Sequence, residues 1–187
     1  MNAKSFFIVI SFFFLIFLRP LFSSDFFQKE INEINDNLIF LRHSWAPGFG
    51  DPENFKIDDC STQRNLSEEG VLQARKIGKF FLKNQIQFSE ILTSEWCRCK
   101  DTINEMNIGA WETFSGLNSF FQNFSKKKLV LSLLYDKLNN VKNDDFILLV
   151  THQVVISEIT KISPPSGGIV IYNTINKKAK LIINITN

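Results

Sequence analysis

Apolar residues fall in two patterns along this chain: short unbroken runs, and positions spaced three and four apart. Leu38–Leu41 and Phe146–Val150 (FILLV) are unbroken, and runs of that length predict buried strands, of the parallel kind. Phe88–Thr93 reads as a third strand. Ser67 predicts a helix N-cap with Glu68 and Glu69 in the first turn, near the positive helix end. Val71, Ala74, Ile77, Gly78 and Phe81 follow at helical spacing, so that helix lays one face on the sheet. Ser94 predicts a second N-cap, with a helix over Glu95–Met106 carrying Arg98 one turn in. Leu129–Leu138 predicts a helix, and Val154, Val155, Ile156 and Ile159 another that ends before Pro164-Pro165. Gly167-Gly168 opens Ile169–Tyr172, with Lys180–Ile185 as its hairpin partner. Phe26, Phe27, Ile31 and Ile34 suit one face of a short helix, and the rest of Asn107–Val141 has no clear pattern. No internal repeat is present. Alternating strands and helices predict an α/β layered fold with a largely parallel sheet.

The amino terminus follows neither pattern. Lys4 precedes an apolar stretch, Phe6–Leu18, broken only by Ser11 and closed by Arg19-Pro20. Thirteen residues are fewer than the roughly 20 a membrane span needs. The stretch therefore predicts a secretory signal over residues 1–24, with an uncleaved anchor over 5–22 as the alternative. Residues 25–187 then form a single exported domain, periplasmic or extracellular. The full chain has 21 basic and 19 acidic residues. Removing 1–24 takes away Lys4 and Arg19 and no acid, so the remainder is neutral. Nothing in that balance calls for nucleic acid, and a membrane enters only if the leader is retained. Lys126-Lys127-Lys128 reads as a solvated helix edge.

Candidate chemistry gathers at the strand ends. The chain has two histidines. His43 and His152 each lie just past an apolar strand, where ligands sit in open α/β sheets. If those strands are parallel neighbours, both imidazoles project over one sheet edge. Arg42 and Arg98 occupy similar places. Arginine forks bind phosphate oxygens in pairs, helix N-termini add N–H donors, and a neutral histidine can carry a phosphoryl group covalently. The polar stretch Trp45–Arg64 is long for a connection, which marks a functional loop.

With these residues in place, the sequence resembles the histidine phosphatase (phosphoglycerate mutase-like) superfamily. LRHSWAPG is similar to its Arg-His-Gly motif, with Ser44 where glycine is usual. Arg64–Gly78 resembles its leucine–Ser/Thr helix start, Ser94–Thr102 its serine-to-arginine segment, and Leu148–Gln153 the strand with its second histidine. Gly50–Pro52, DDCSTQRNL, WCRC, Leu117–Phe121 and THQ resemble a small exported branch more than the mutases. The resemblance implies a three-layer αβα sandwich and a phosphatase acting on a phosphorylated small molecule or phosphoprotein. His43 would be the nucleophile. Arg42, Arg98 and His152 would hold the phosphoryl oxygens, and Arg64 and Ser44 would line the substrate site. No metal or other cofactor is implied.

The resemblance is incomplete at the proton donor. Gln153 follows His152 where an acid is common, and Glu105 follows Arg98 too closely to match the mutase acid. Asp51, Asp58, Asp59 and Glu112 remain as candidates, Asp51 and Asp59 favoured by their loop. The alternative to an enzyme is a protein that keeps the phosphate cage and only binds phosphorylated ligands or a partner. A metal site built from Cys60, Cys97, Cys99 and His152 is a third reading, against which the short Cys-x-Cys spacing counts. Export would expose the thiols to oxidation, and a shared active site would bring Cys60 to Cys97 or Cys99, predicting one disulfide.

Overall fold

The computed structural model describes residues 27, 29–31, 37–142 and 145–182. The predicted leader, most of the helix around Phe27 and the end of the predicted second hairpin strand lie outside them. Phe27 and Lys29–Ile31 are helical. The central sheet has six strands in the order β3-β2-β4-β1-β5-β6. These are β1 (Leu38–Arg42), β2 (Glu90–Thr93), β3 (Glu112–Thr113), β4 (Ile147–Thr151), β5 (Ile169–Tyr172) and β6 (Ala179–Ile182). The four strands β3, β2, β4 and β1 run parallel, and β5 and β6 add an antiparallel edge. Among the described residues, four further helices cover the sheet: α1 (Glu68–Lys83), α2 (Cys97–Met106), α3 (Lys127–Asn139) and α4 (Gln153–Thr160).

Both faces of the sheet are buried, which is why β1 and β4 are apolar at every position rather than at alternate ones. Ile39, Leu41, Leu148 and Val150 join Ala74, Ile77 and Phe81 of α1 and Ile103 of α2 on one side. Leu38, Phe40, Ile147 and Leu149 join Leu134 and Leu138 of α3 and Val155 and Ile156 of α4 on the other. The result is the three-layer αβα sandwich.

One predicted cap holds and the other does not. Ser67 caps α1, its hydroxyl accepting from the Gly70 N–H at 3.2 Å. Ser94 does not cap α2, which starts three residues later, after Trp96, without a side-chain cap. The Ser94 hydroxyl is held instead by Asn118 and His152, described below. The helix predicted over Leu129–Leu138 is α3, and the rest of Asn107–Val141, without a clear pattern, contains β3 and two 3₁₀ turns, Ser115–Leu117 and Phe121–Asn123. Lys127 opens α3 at the surface and pairs with Glu158 at 2.8 Å. Among the described residues no helix is long and apolar enough to cross a membrane.

Candidate active site

The register of β1 against β4 decides where the histidines lie. Arg42 is level with Thr151, so the next residues, His43 and His152, emerge side by side. The His43 N–H donates to the Thr151 carbonyl at 2.9 Å, and the two rings lie 5.4 Å apart. They stand at the carboxyl ends of the parallel strands, at the floor of a cleft of about 150 Å³. Arg42, Arg64 and Arg98 line the same cleft, with Gly48–Gly50, Ser119, Phe121, Gln153 and Val154.

The hydrogen bonds assign both tautomers. His43 Nδ1 lies 2.8 Å from the Ser44 carbonyl, which can only accept. Nδ1 therefore carries the proton, and Nε2 keeps its lone pair. The Ser94 hydroxyl accepts from the Trp96 N–H at 3.3 Å and donates to Asn118 Oδ1 at 3.1 Å. It lies 2.9 Å from His152 Nε2, from which it therefore accepts. Asn118 Oδ1 is fixed as the acceptor by the Glu95 N–H at 3.0 Å. Burial pushes both imidazoles well below the ordinary histidine range, and Arg98 pushes them the same way. Both rings are therefore neutral near pH 7.

The arginines are held unequally. Arg42 Nη1 donates to the Pro164 carbonyl at 3.0 Å. Arg64 donates from Nε to the Gly50 carbonyl at 2.7 Å and from Nη1 to the Ala46 carbonyl. Burial and then Arg98 lower the Arg64 guanidinium to about 10. Arg98, buried in the first turn of α2, turns its fork away from the cleft onto Asp51, at 2.7 and 3.0 Å. Trp96 Nε1 donates to the same carboxylate at 3.1 Å, and the Arg64 N–H at 3.0 Å. Burial alone would raise the Asp51 carboxyl, but the Arg98 hydrogen bonds and charge hold it below its ordinary value. Three guanidiniums against this one carboxylate leave two positive charges around the cleft, the complement of a phosphoryl dianion.

Buried polar atoms are normally satisfied, so the exceptions are informative. Among the described residues, Arg42 Nε, Arg98 Nε, His152 Nδ1 and Ser44 Oγ are buried with no hydrogen-bond partner. The first three belong to residues lining the cleft, and Ser44 adjoins His43. A fifth such atom, Glu30 Oε2, is ion-paired with Lys180. Arg42 Nε and Arg98 Nε are thus unmet donors on residues that line the cleft, where an oxyanion would supply acceptors, while His152 Nδ1, unprotonated in this tautomer, is an unmet acceptor.

The candidate acids do not converge there. Asp59 accepts from Ser61 N–H and hydroxyl, at 3.0 and 2.6 Å, and caps the 3₁₀ turn Cys60–Thr62. Asp58 is exposed in the same turn region, and Glu112 is exposed on the edge strand β3. Glu105 pairs with Arg75 on the outside of α1 and α2. Asp51 is near, but its carboxylate faces Arg98 rather than the cleft.

Cys60 is bonded to Cys97, while Cys99 is free and buried, its Sγ 3.5 Å from His152 Nε2. Burial raises the Cys99 thiol to about 12, so it stays protonated. The disulfide removes two of the four ligands the metal reading needed, and no other cluster of three metal-binding side chains occurs among the described residues. The bond ties the loop after His43 to the first residue of α2, beside Arg98. Closing a loop of 37 residues' separation contributes about 3–4 kcal/mol in the chain-entropy account. Reduction, or the Cys60→Ser, Cys97→Ser pair, is expected to lower the urea midpoint accordingly. Thiol counting on the denatured, unreduced protein should find one.

The fold recurs in solved proteins. An assigned phosphohistidine phosphatase, SixA of Agrobacterium tumefaciens, matches 79% of this chain and 96% of its own, with TM-score 0.54 and 18% identity. A protein histidine phosphatase SixA solved with tungstate matches 78% of this chain and 93% of its own, with TM-score 0.51 and 17% identity. A mycobacterial glucosyl-3-phosphoglycerate phosphatase matches 78% of this chain and 96% of its own, with TM-score 0.54 and 14% identity. Neither a family model nor a curated protein matches the sequence. The chain has the fold of the histidine phosphatase (phosphoglycerate mutase-like) superfamily.

Proposed function

We propose that this protein is an exported, metal-independent phosphatase that works through a phosphohistidine on His43. The observation that carries the reading is one cleft lined by His43, whose Nε2 is unprotonated, and by Arg42 and Arg98, whose buried Nε donors have no partner. His43 Nε2 attacks phosphorus, the bond to the leaving oxygen or nitrogen breaks, and the leaving group departs with the electron pair. Water then attacks, the P–N bond breaks, and inorganic phosphate and the neutral imidazole are released. Arg42 Nε and Arg98 Nε donate to the transferring oxygens, and Arg64 and Ser44 complete the cage. His152 holds its Nε2–H on Ser94. When a dianion enters, its Nδ1 gains a proton and becomes a further donor.

Among the described residues no carboxyl group lines the cleft, so leaving groups that need no proton are favoured. Aryl and acyl phosphates and phosphoramidates should turn over faster than sugar phosphates. The disulfide supports an oxidising compartment, and the substrate is a phosphorylated small molecule or phosphoprotein. The test is a panel of phosphate esters on purified protein, with acid quench to trap labelled His43. Binding of inorganic phosphate without turnover of any ester would instead favour the ligand-binding alternative.

The buried imidazoles make the pH dependence specific. Their folded values lie below the ordinary value of about 6.5. His43 therefore stays the free base under mild acid, and the acid limb of kcat/KM should begin below the ordinary imidazole value. Stability moves with the same sign: below about pH 6.5 the unfolded chain takes up protons that the folded one refuses. The penalty is absent above that pH and grows as pH falls towards the folded values. Rate profiles and urea midpoints over pH 5–8 check both; an acid limb at or above the ordinary imidazole value would contradict the neutral His43.

A further inference from the structure

The cleft has an aromatic wall that phosphoryl transfer does not use. Phe49 is 88% exposed, although it lines the same cleft as His43 and Arg98. Gly48 and Gly50 flank it at φ +94° and +70°, left-handed conformations that turn the chain out and back and that favour glycine. Phe121, 38% exposed, meets it edge to face at 5.0 Å and 82°.

The loop is braced, although Phe49 itself is open. Arg64 holds the Ala46 and Gly50 carbonyls from beneath. The Gln122 amide brackets Asp51, accepting from its N–H at 2.7 Å and donating to its carbonyl at 3.3 Å. Gln122 reaches it from a left-handed backbone, φ +59°, and a Cβ at Gly50 would lie 2.4 Å from Gln122 Oε1. A large apolar ring is thus kept in water by a rigid support, at the mouth of a cationic cleft. Such a ring is pre-organised for a planar partner, because little ordering cost remains on binding.

We propose that Phe49 and Phe121 form a subsite for a planar aromatic or heteroaromatic leaving group, so that the substrates are aryl or heteroaryl phosphates or phosphoramidates. This rests on the phosphatase reading for the phosphoryl end and adds the identity of the other end. Non-hydrolysable phosphonates separate the two by calorimetry. The wild type is expected to bind phenylphosphonate about tenfold more tightly than methylphosphonate, which ends short of the rings. In Phe49→Ala and in Phe121→Ala that ratio falls towards one, and in Phe49→Tyr it is kept. Phe49 is too exposed for its truncation to disturb the core, and thermal melts of each variant confirm the fold. A wild-type ratio near one, or a ratio unchanged in Phe49→Ala, overturns the subsite while leaving the phosphatase reading standing. Failure of inorganic phosphate and both phosphonates to bind overturns both.

Discussion

Replacing His43 with alanine is expected to abolish turnover, by ~10⁴-fold or more, and to remove the acid-labile phosphoryl label. His43 offers a deprotonated Nε2, because Nδ1–H is committed to the Ser44 carbonyl. The other free imidazole nitrogen among the described residues of the cleft, His152 Nδ1, belongs to a ring 5.4 Å away. The Cys99 thiol is held protonated by burial, and His152 Nε2 is spent on Ser94. The variant should fold, since the lost ring packs on His152 at the cleft rather than in either hydrophobic layer. The checks are steady-state turnover of an aryl phosphate, acid-quench labelling and a thermal melt. Wild-type turnover in a folded His43→Ala protein would reject the covalent route.

Asp51→Asn is expected to act through Arg98, with two separable effects. The carboxylate is 4% exposed and takes four donors: both ends of the Arg98 fork, Trp96 Nε1 and the Arg64 N–H. An amide places N–H against N–H on one side and leaves a buried guanidinium without its counter-charge. Losing one partner of such a pair costs about 3–5 kcal/mol, which a urea midpoint measures. The Arg98 side chain, which lines the cleft, also loses the anchor that fixes it, and a displacement near 1 Å can cost about 10²-fold in rate. Asp51 is a positioning residue on this account, so alkyl and aryl esters should slow equally. A selective loss on alkyl esters would identify it as the proton donor after all. The adjoining acid Asp59 serves as control, because Asp59→Asn disturbs only an exposed turn cap.

Much of this site was legible because strand ends and helix starts are local features. Unbroken apolar runs mark β1 and β4 whatever surrounds them, and Arg42-His43 and His152 follow at once. Arg98 is placed by the start of α2, and the glycine-rich loop by its composition. The partners of these residues were not legible. Ser94 is an N-cap by local propensity, yet its hydroxyl goes to His152 and Asn118, 58 and 24 residues away. Gln122 braces Asp51 across 71 residues, from a left-handed backbone that no local signal announces. The choice of Cys97 over Cys99 for Cys60 likewise depends on which way α2 faces.

The sequence by itself determined the layers, the strand ends and the residue types that can meet a phosphoryl group, since periodicity and turn chemistry act over a few residues. Only the tertiary structure decided which of those groups stay free. Asp51 and Arg98, 47 residues apart, satisfy each other and so withdraw a carboxylate and most of a guanidinium from the cleft. Arg42 Nε, Arg98 Nε and His152 Nδ1 are left without partners. Hydrogen-bond satisfaction is a property of the whole packed set, because each donor's availability depends on acceptors delivered from distant parts of the chain.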